Sequence, residues 1–233
     1  MFPLRDTIRS RTFPVVNYLI IAVNVLVFVL ESSMGPRRFE LFISSFGMMP
    51  YRLLGHLSLA QLLTVFTSMF LHGGWFHVIS NMWALYIFGD NIEDRVGHGR
   101  YLLFYLLCGV GAALAHIATD PNSTVPVVGA SGAISGIMGA YIVLFPRSRI
   151  ITLVPVFLLP WLVQIPAVVF VGIWFLSQLF NGLFSLADAA VGSYGGVAWW
   201  AHVGGFLVGF LLIKAFAKQQ AYREFHPDEY WPW

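Results

Sequence analysis

Six stretches of this chain, at residues 14–30, 69–89, 101–118, 127–145, 165–184 and 198–216, stay apolar over nearly the length of a bilayer crossing. Such segments have few stable solutions. About 20 apolar residues in a helix cross the hydrocarbon, and there every backbone N–H and C=O must find its partner inside the protein. The expectation is an all-α integral membrane protein, a bundle of six transmembrane helices forming one membrane domain over 1–233. Within it, an N-terminal cytoplasmic segment covers about 1–13, the six-span core about 14–216 and a cytoplasmic tail about 217–233. Composition agrees, with 58% hydrophobic and 10% charged residues, far from the soluble average.

The run 150–164 is as apolar, but Pro155 and Pro160 cut it and Pro166 follows. Proline removes a donor and breaks a helix, so this run is read as an interfacial or protein-covered loop and not as a seventh span. With six spans, Arg5, Arg9, Arg11, Arg95, Arg100, Arg147, Arg149, Lys214, Lys218 and Arg223 fall on the N-terminal side, and only Arg37, Arg38 and Arg52 on the other. That bias puts both termini in the cytoplasm. Glu31-Ser32-Ser33 after the first run lacks a small-x-small cleavage pattern, so the run is taken as an uncleaved span. The loop 31–68 is half apolar and expected in the outer interface. The loop 185–197, with Gly192, Gly195 and Gly196 and no Lys or Arg, is expected to be a mobile external cap.

A net charge of +2 without a basic stripe excludes nucleic acid as a partner class. Cys108 is the one cysteine, which rules out an internal disulfide. In an apolar run it reads as a small inert hydrophobe.

Polar groups in hydrocarbon are costly and mark function by default. Three such elements stand out: His77 with Asn81, Ser131 in Gly129-Ala130-Ser131-Gly132, and His202 in Ala201-His202-Val203-Gly204-Gly205. All three fall in spans that run from outside to inside. At 1.5 Å per residue each lies roughly 18–21 Å above the cytoplasmic boundary, so the three are level, in the outer half of the membrane. His202, Gly205 and Gly209 share one helical face, and Ser131, Ser135 and Gly139 make a small-residue stripe flanked by Gly132, Gly136 and Ala140. Small residues let two helices approach closely, and only close backbones let a serine reach an imidazole.

A serine hydroxyl becomes a nucleophile when a base takes its proton, and His202 is the candidate base. Asp90, Glu93, Asp94, Asp120 and Asp188 all fall in loops or at helix ends, so a dyad fits better than a triad. The Asn81 amide, a His77 N–H and the Ser131 backbone N–H are candidate donors to an oxyanion, and Gly129 and Gly132 let the backbone curve around that spot. The residues alone leave other readings open. A serine in a span often serves as packing glue, and a histidine often bonds a neighbouring backbone.

In combination these motifs resemble those of the rhomboid intramembrane serine proteases, and the resemblance covers all six spans. It implies Ser131, in the GxSG motif, as nucleophile and His202 as base, with His77 and Asn81, the HxxxN pair, around the oxyanion. It further implies cleavage of transmembrane helices of single-span or polytopic membrane-protein substrates near the extracytoplasmic face, with substrate entering sideways past the fifth span. No cofactor or metal is implied, and the lipid bilayer is the other partner. The expected location is a prokaryotic cytoplasmic membrane. Two positions depart from the family pattern: Leu63-Thr64 stands where many members carry Trp-Arg, and Ser135 where some carry an aromatic residue that supports the histidine. Ser135 is expected to hydrogen-bond locally.

Rivals from other classes are a non-catalytic relative that binds transmembrane segments, a metal site using His72, His77 and His202, and a small transporter. The first would usually lose the serine or histidine, the second would call for a carboxylate at that depth, and the third would need paired ionisable residues along a pathway.

Overall fold

The computed structural model describes residues 2–156, 159–190 and 197–218. In chain order these form β1 (Phe2–Asp6), α1 (Val15–Ser32), α2 (Pro36–Phe46), α3 (Pro50–Gly55), α4 (Leu59–Thr67), a 3-10 turn (Ser68–Phe70), α5 (Trp75–Val96), α6 (His98–Thr119), α7 (Ser131–Leu144), β2 (Arg149–Val156), β3 (Leu159–Pro166), α8 (Ala167–Ala190) and α9 (Trp199–Phe216).

Among the described residues, four helices are long and apolar enough to cross a membrane: α1, α6, the 167–186 part of α8, and α9. Helix α4 with its 3-10 turn and α5 form a further apolar pair, bent by 81°, which makes a fifth candidate span if the two are counted as one. Helix α7 is apolar but has only 14 residues, a rise of about 21 Å, short of the roughly 30 Å core. It is the centre of the protein, with every residue from Gly132 to Tyr141 buried. Helix α1 and much of α8 instead turn residues such as Leu26 and Leu183 outward, as helices facing lipid would.

Polar bonds join the helices at the end of the bundle opposite Ser131. Helix α1 begins after Pro14, which has no capping side chain, so its first N–H groups need an outside acceptor. Glu93 of α5, fully buried, supplies it: its carboxylate accepts from Val16 N at 3.0 Å and Asn17 N at 2.7 Å, and it also meets His98 Nδ1. The Asn17 amide donates to the Leu85 carbonyl, and its oxygen accepts from the Tyr101 hydroxyl at 2.7 Å. One asparagine thus joins α1, α5 and α6.

The all-α expectation is corrected here. In the run 150–164, read from sequence as a loop, the described residues form strands β2 and β3, paired antiparallel with Pro155 opposite Pro160. Prolines forbid a helix, and the β-branched run Ile150, Ile151, Thr152 and Val154 suits a strand. Strand β1, in the segment expected only to precede the first span, pairs antiparallel with β2 and completes a sheet of order β1-β2-β3.

The sheet is held to the helices by Asp6. Its Oδ2 accepts from the Tyr141 hydroxyl of α7 at 2.5 Å and from Asn91 Nδ2 of α5 at 2.8 Å. Burial, reinforced by the nearby Asp90, pushes the Asp6 carboxyl from 3.8 up to about 8. The folded state therefore binds this proton more tightly than the unfolded chain does. The stabilisation is complete below about pH 4 and is lost as pH rises through about 8. The unfolding midpoint in detergent should accordingly fall between pH 6 and pH 9, and Asp6→Asn, which keeps both accepted bonds but cannot ionise, should flatten that dependence.

Other boundaries shift too. The first loop is largely helical (α2, α3 and α4), with exposed Leu41, Leu54, Leu57 and Leu59, in keeping with an interfacial position. The second run starts as a helix at Trp75 rather than residue 69, and the fourth at Ser131 rather than 127. Helix α8 continues to Ala190, so 185–190 belong to it. Residues 191–196 of the expected cap and the tail after Lys218 lie outside the described residues.

Candidate active site

Ser131 is not inside a helix but is the first residue of α7. The chain arrives there as a strapped loop. Met48 and Val127 exchange both backbone hydrogen bonds, at 3.1 and 2.7 Å, and Gly129 N donates to the Ser68 carbonyl at 2.8 Å. Gly129 has φ +125°, a region that side chains rarely occupy, and a Cβ there would stand 2.7 Å from His77 Cε1 and Nε2. The glycine is required both by the turn into α7 and by the imidazole lying over it.

His202 sits in the first turn of α9 and His77 in the first turn of α5. The level placement expected from sequence therefore takes the form of three helix N-termini meeting at one end of the bundle. His202 Nε2 lies 2.8 Å from Ser131 Oγ. Glycine contact makes this reach possible: a Cβ at Gly205 would collide with the Gly132 carbonyl, and one at Gly209 with the Gly136 backbone. The facing stripe on α7 is thus Gly132, Gly136 and Gly139, while Ser135 turns aside and donates to the Ser131 carbonyl at 2.6 Å, the local bond expected for it.

Side chains not anticipated from sequence in these roles complete the surroundings of the pair. His202 Nδ1 lies 2.8 Å from Gln178 Oε1 on α8. The Trp174 ring, one turn earlier on α8, is 6.0 Å from the imidazole, with Trp199 at 6.2 Å on another side. Aromatic support for His202 therefore comes from these rings and not from position 135. The last is His72. Asn81 Nδ2 lies 3.0 Å from His72 Nε2, so His72 orients the amide. His72 is itself fully buried, and its backbone N–H is held by the buried Glu31 carboxylate of α1 at 3.2 and 3.3 Å. At the Leu63-Thr64 departure, Thr64 is buried in α4 and donates to its own helix at Gln61.

A signal for Gln178 is present in the chain: Ser177, Gln178 and Asn181 are the polar residues in the apolar run 165–184 that α8 carries. The cost of burying a polar group holds for an amide as it does for His77, Ser131 and His202. An amide carries no charge, and a charged residue is the usual mark of a third partner.

His77, Asn81, Ser131 and His202 all line one cavity of about 1890 Å³. A serine hydroxyl held to an imidazole in such a cavity, within a bundle containing helices of bilayer length, defines an integral membrane protein with the geometry of a serine-histidine pair.

Comparison with known proteins agrees with this class. A rhomboid domain model matches residues 59–219. The chain is 33% identical over 162 residues to RHOMBOID-like protein 6, mitochondrial, of Arabidopsis thaliana, covering 68% of this chain and 46% of that protein. It is 36% identical over 128 residues to Rhomboid protease GluP of Bacillus subtilis, covering 54% and 24%. To Rhomboid protein 1, mitochondrial, of Saccharomyces cerevisiae it is 26% identical over 214 residues, covering 88% and 56%. The chain belongs to the rhomboid family. The match takes in less than two thirds of each relative's length. With mitochondrial relatives beside a bacterial one, the expected prokaryotic inner membrane is not supported.

Proposed function

We propose that this chain is an intramembrane serine endopeptidase that cleaves transmembrane helices of membrane-protein substrates with Ser131 as nucleophile and His202 as base. The observation that carries this reading is the 2.8 Å contact between Ser131 Oγ and His202 Nε2. In the reaction, Ser131 Oγ attacks the scissile carbonyl as its proton passes to Nε2. The tetrahedral intermediate then expels the amine, which takes that proton. Water, deprotonated by the same nitrogen, releases the acyl group.

Negative charge develops on the carbonyl oxygen at the start of α7. The first N–H groups of a helix have no partner within it, and the helix dipole favours an anion there. The Ser131 backbone N–H, the Asn81 amide and a His77 N–H are the donors assigned to it.

The same reading makes the protein a six-span bundle with α5 and α7 as the second and fourth spans and both termini on the Lys- and Arg-rich side. A short α7 suits this role. It need not reach the outer surface when its first residue opens into a cavity, and non-helical backbone at membrane depth is tolerated where protein or water covers it. A substrate helix must unwind to present a carbonyl there, which places cleavage near its outer end.

The test is reconstitution in liposomes with a single-span substrate, together with a fluorophosphonate probe. The expected result is a defined cleavage product and labelling of Ser131. Substrate binding without cleavage, or labelling at Ser135 instead, overturns the proposal.

A further inference from the structure

We infer that Gln178 is a positioning residue for the base: from α8 it accepts the Nδ1 proton of His202 and so keeps Nε2 bare toward Ser131. This inference rests on the protease reading above and adds a third, uncharged member to the pair.

The argument starts from the amide's other end. Gln178 Nε2 lies 3.3 Å from the Trp174 carbonyl and 2.9 Å from Ser177 Oγ. A carbonyl oxygen can only accept, so the group facing it must be the NH₂. The Ser177 hydroxyl already donates to that same carbonyl at 2.6 Å, which leaves its lone pairs to accept from Gln178. With the NH₂ so engaged, Oε1 is the atom 2.8 Å from His202 Nδ1, and Oε1 can only accept. Nδ1 must therefore carry the ring proton. A neutral imidazole has one such proton, so Nε2 is the acceptor for the Ser131 hydroxyl. That is the tautomer a general base requires.

Position and burial support the same role. Gln178 is 6% exposed and His202 8% exposed, so water competes little for this bond. Trp174 and Gln178 stand at i and i+4 and share one face of α8, the ring beside the imidazole and the amide on its Nδ1. A buried glutamine would be costly unless paired at both ends, and here both ends are paired. Unlike a carboxylate, the amide brings no charge to stabilise an imidazolium. It fixes orientation and tautomer only.

The test compares wild type with Gln178→Leu and Gln178→Glu in the same liposomes, with kcat and KM measured across pH and the ring nitrogens of His202 observed by ¹⁵N NMR. In wild type the spectrum should show the Nδ1–H form. Gln178→Leu should lower kcat by roughly 10- to 100-fold, below the full 10²–10⁴ ascribed to general acid-base catalysis, with KM within about twofold. Gln178→Glu should restore most of the rate and move the acidic limb of the pH profile upward by about one unit, because a carboxylate favours the protonated ring. A role in packing alone would move neither the limb nor the tautomer. An Nε2–H form in wild type, or a Glu variant with the wild-type pH profile, overturns the inference. Absence of cleavage by wild type would overturn the protease reading, while the NMR result would still decide the placement of the proton.

Discussion

Ser131→Ala and His202→Ala should each abolish cleavage in the liposome assay, by on the order of 10⁴-fold or more, and the double variant should lose no more than either alone. The two side chains act as one unit: the hydroxyl is a nucleophile only while the imidazole can take its proton. Both variants should stay folded. Alanine at 131 removes one oxygen at the edge of a cavity, and the α7–α9 contact beneath it is made by glycine backbone. Ser135→Ala is the internal control. Its hydroxyl bonds the Ser131 carbonyl, so cleavage should change only a few-fold. Asn81→Ala should fall between, at about 10²- to 10³-fold, the usual cost of one oxyanion donor. It should also cost stability of about 1–3 kcal/mol by leaving buried His72 Nε2 unpaired. Undiminished cleavage by Ser131→Ala would remove the nucleophile assignment altogether.

Periodicity and the cost of burying polar atoms make part of this fold and site legible in the sequence. Apolar length marks α1, α6, α8 and α9. Proline excludes a helix at 150–164, and glycine spacing anticipates the contact of α7 with α9. The elements that stay hidden depend on partners far along the chain. Strand β1 has only five residues and exists because β2 is there to pair with it. Asp6 is a cytoplasmic-looking acid until Tyr141 and Asn91 close around it. The start of α7 cannot be read from hydropathy because residues 127–130 are as apolar as the helix, and what stops them joining it is the bridge to Met48 and the positive φ of Gly129. Gln178 is hidden for a different reason. A third member of a serine-histidine pair is expected to be charged, and this amide supplies orientation without charge.

The glycine contact carries the second large effect. Gly209→Ala should lower the unfolding midpoint on the order of 5–10 °C, whereas Gly172→Ala should leave it unchanged or slightly raised. The two substitutions add the same methyl group to apolar helices, so helix propensity predicts the same small gain for both, about 0.5–1 kcal/mol. Their surroundings differ. A Cβ at Gly172 meets nothing within 4 Å, while one at Gly209 collides with the Gly136 carbonyl, its carbon and its Cα. Backbone cannot rotate away as a side chain can, so α7 and α9 must part, and overpacking of this kind typically costs 1–3 kcal/mol or more, each worth about 2–4 °C in a chain of this size. Parting these helices also acts on the chemistry. His202 stands two turns from Gly209 on the same face, and a misplacement of about 1 Å between reacting groups can cost 10²-fold in rate. Gly209→Ala should therefore lose cleavage at temperatures where it is still folded. Equal midpoints for the two variants would mean that α7 and α9 are not in backbone contact, and with that contact would go the geometry that lets Ser131 touch His202.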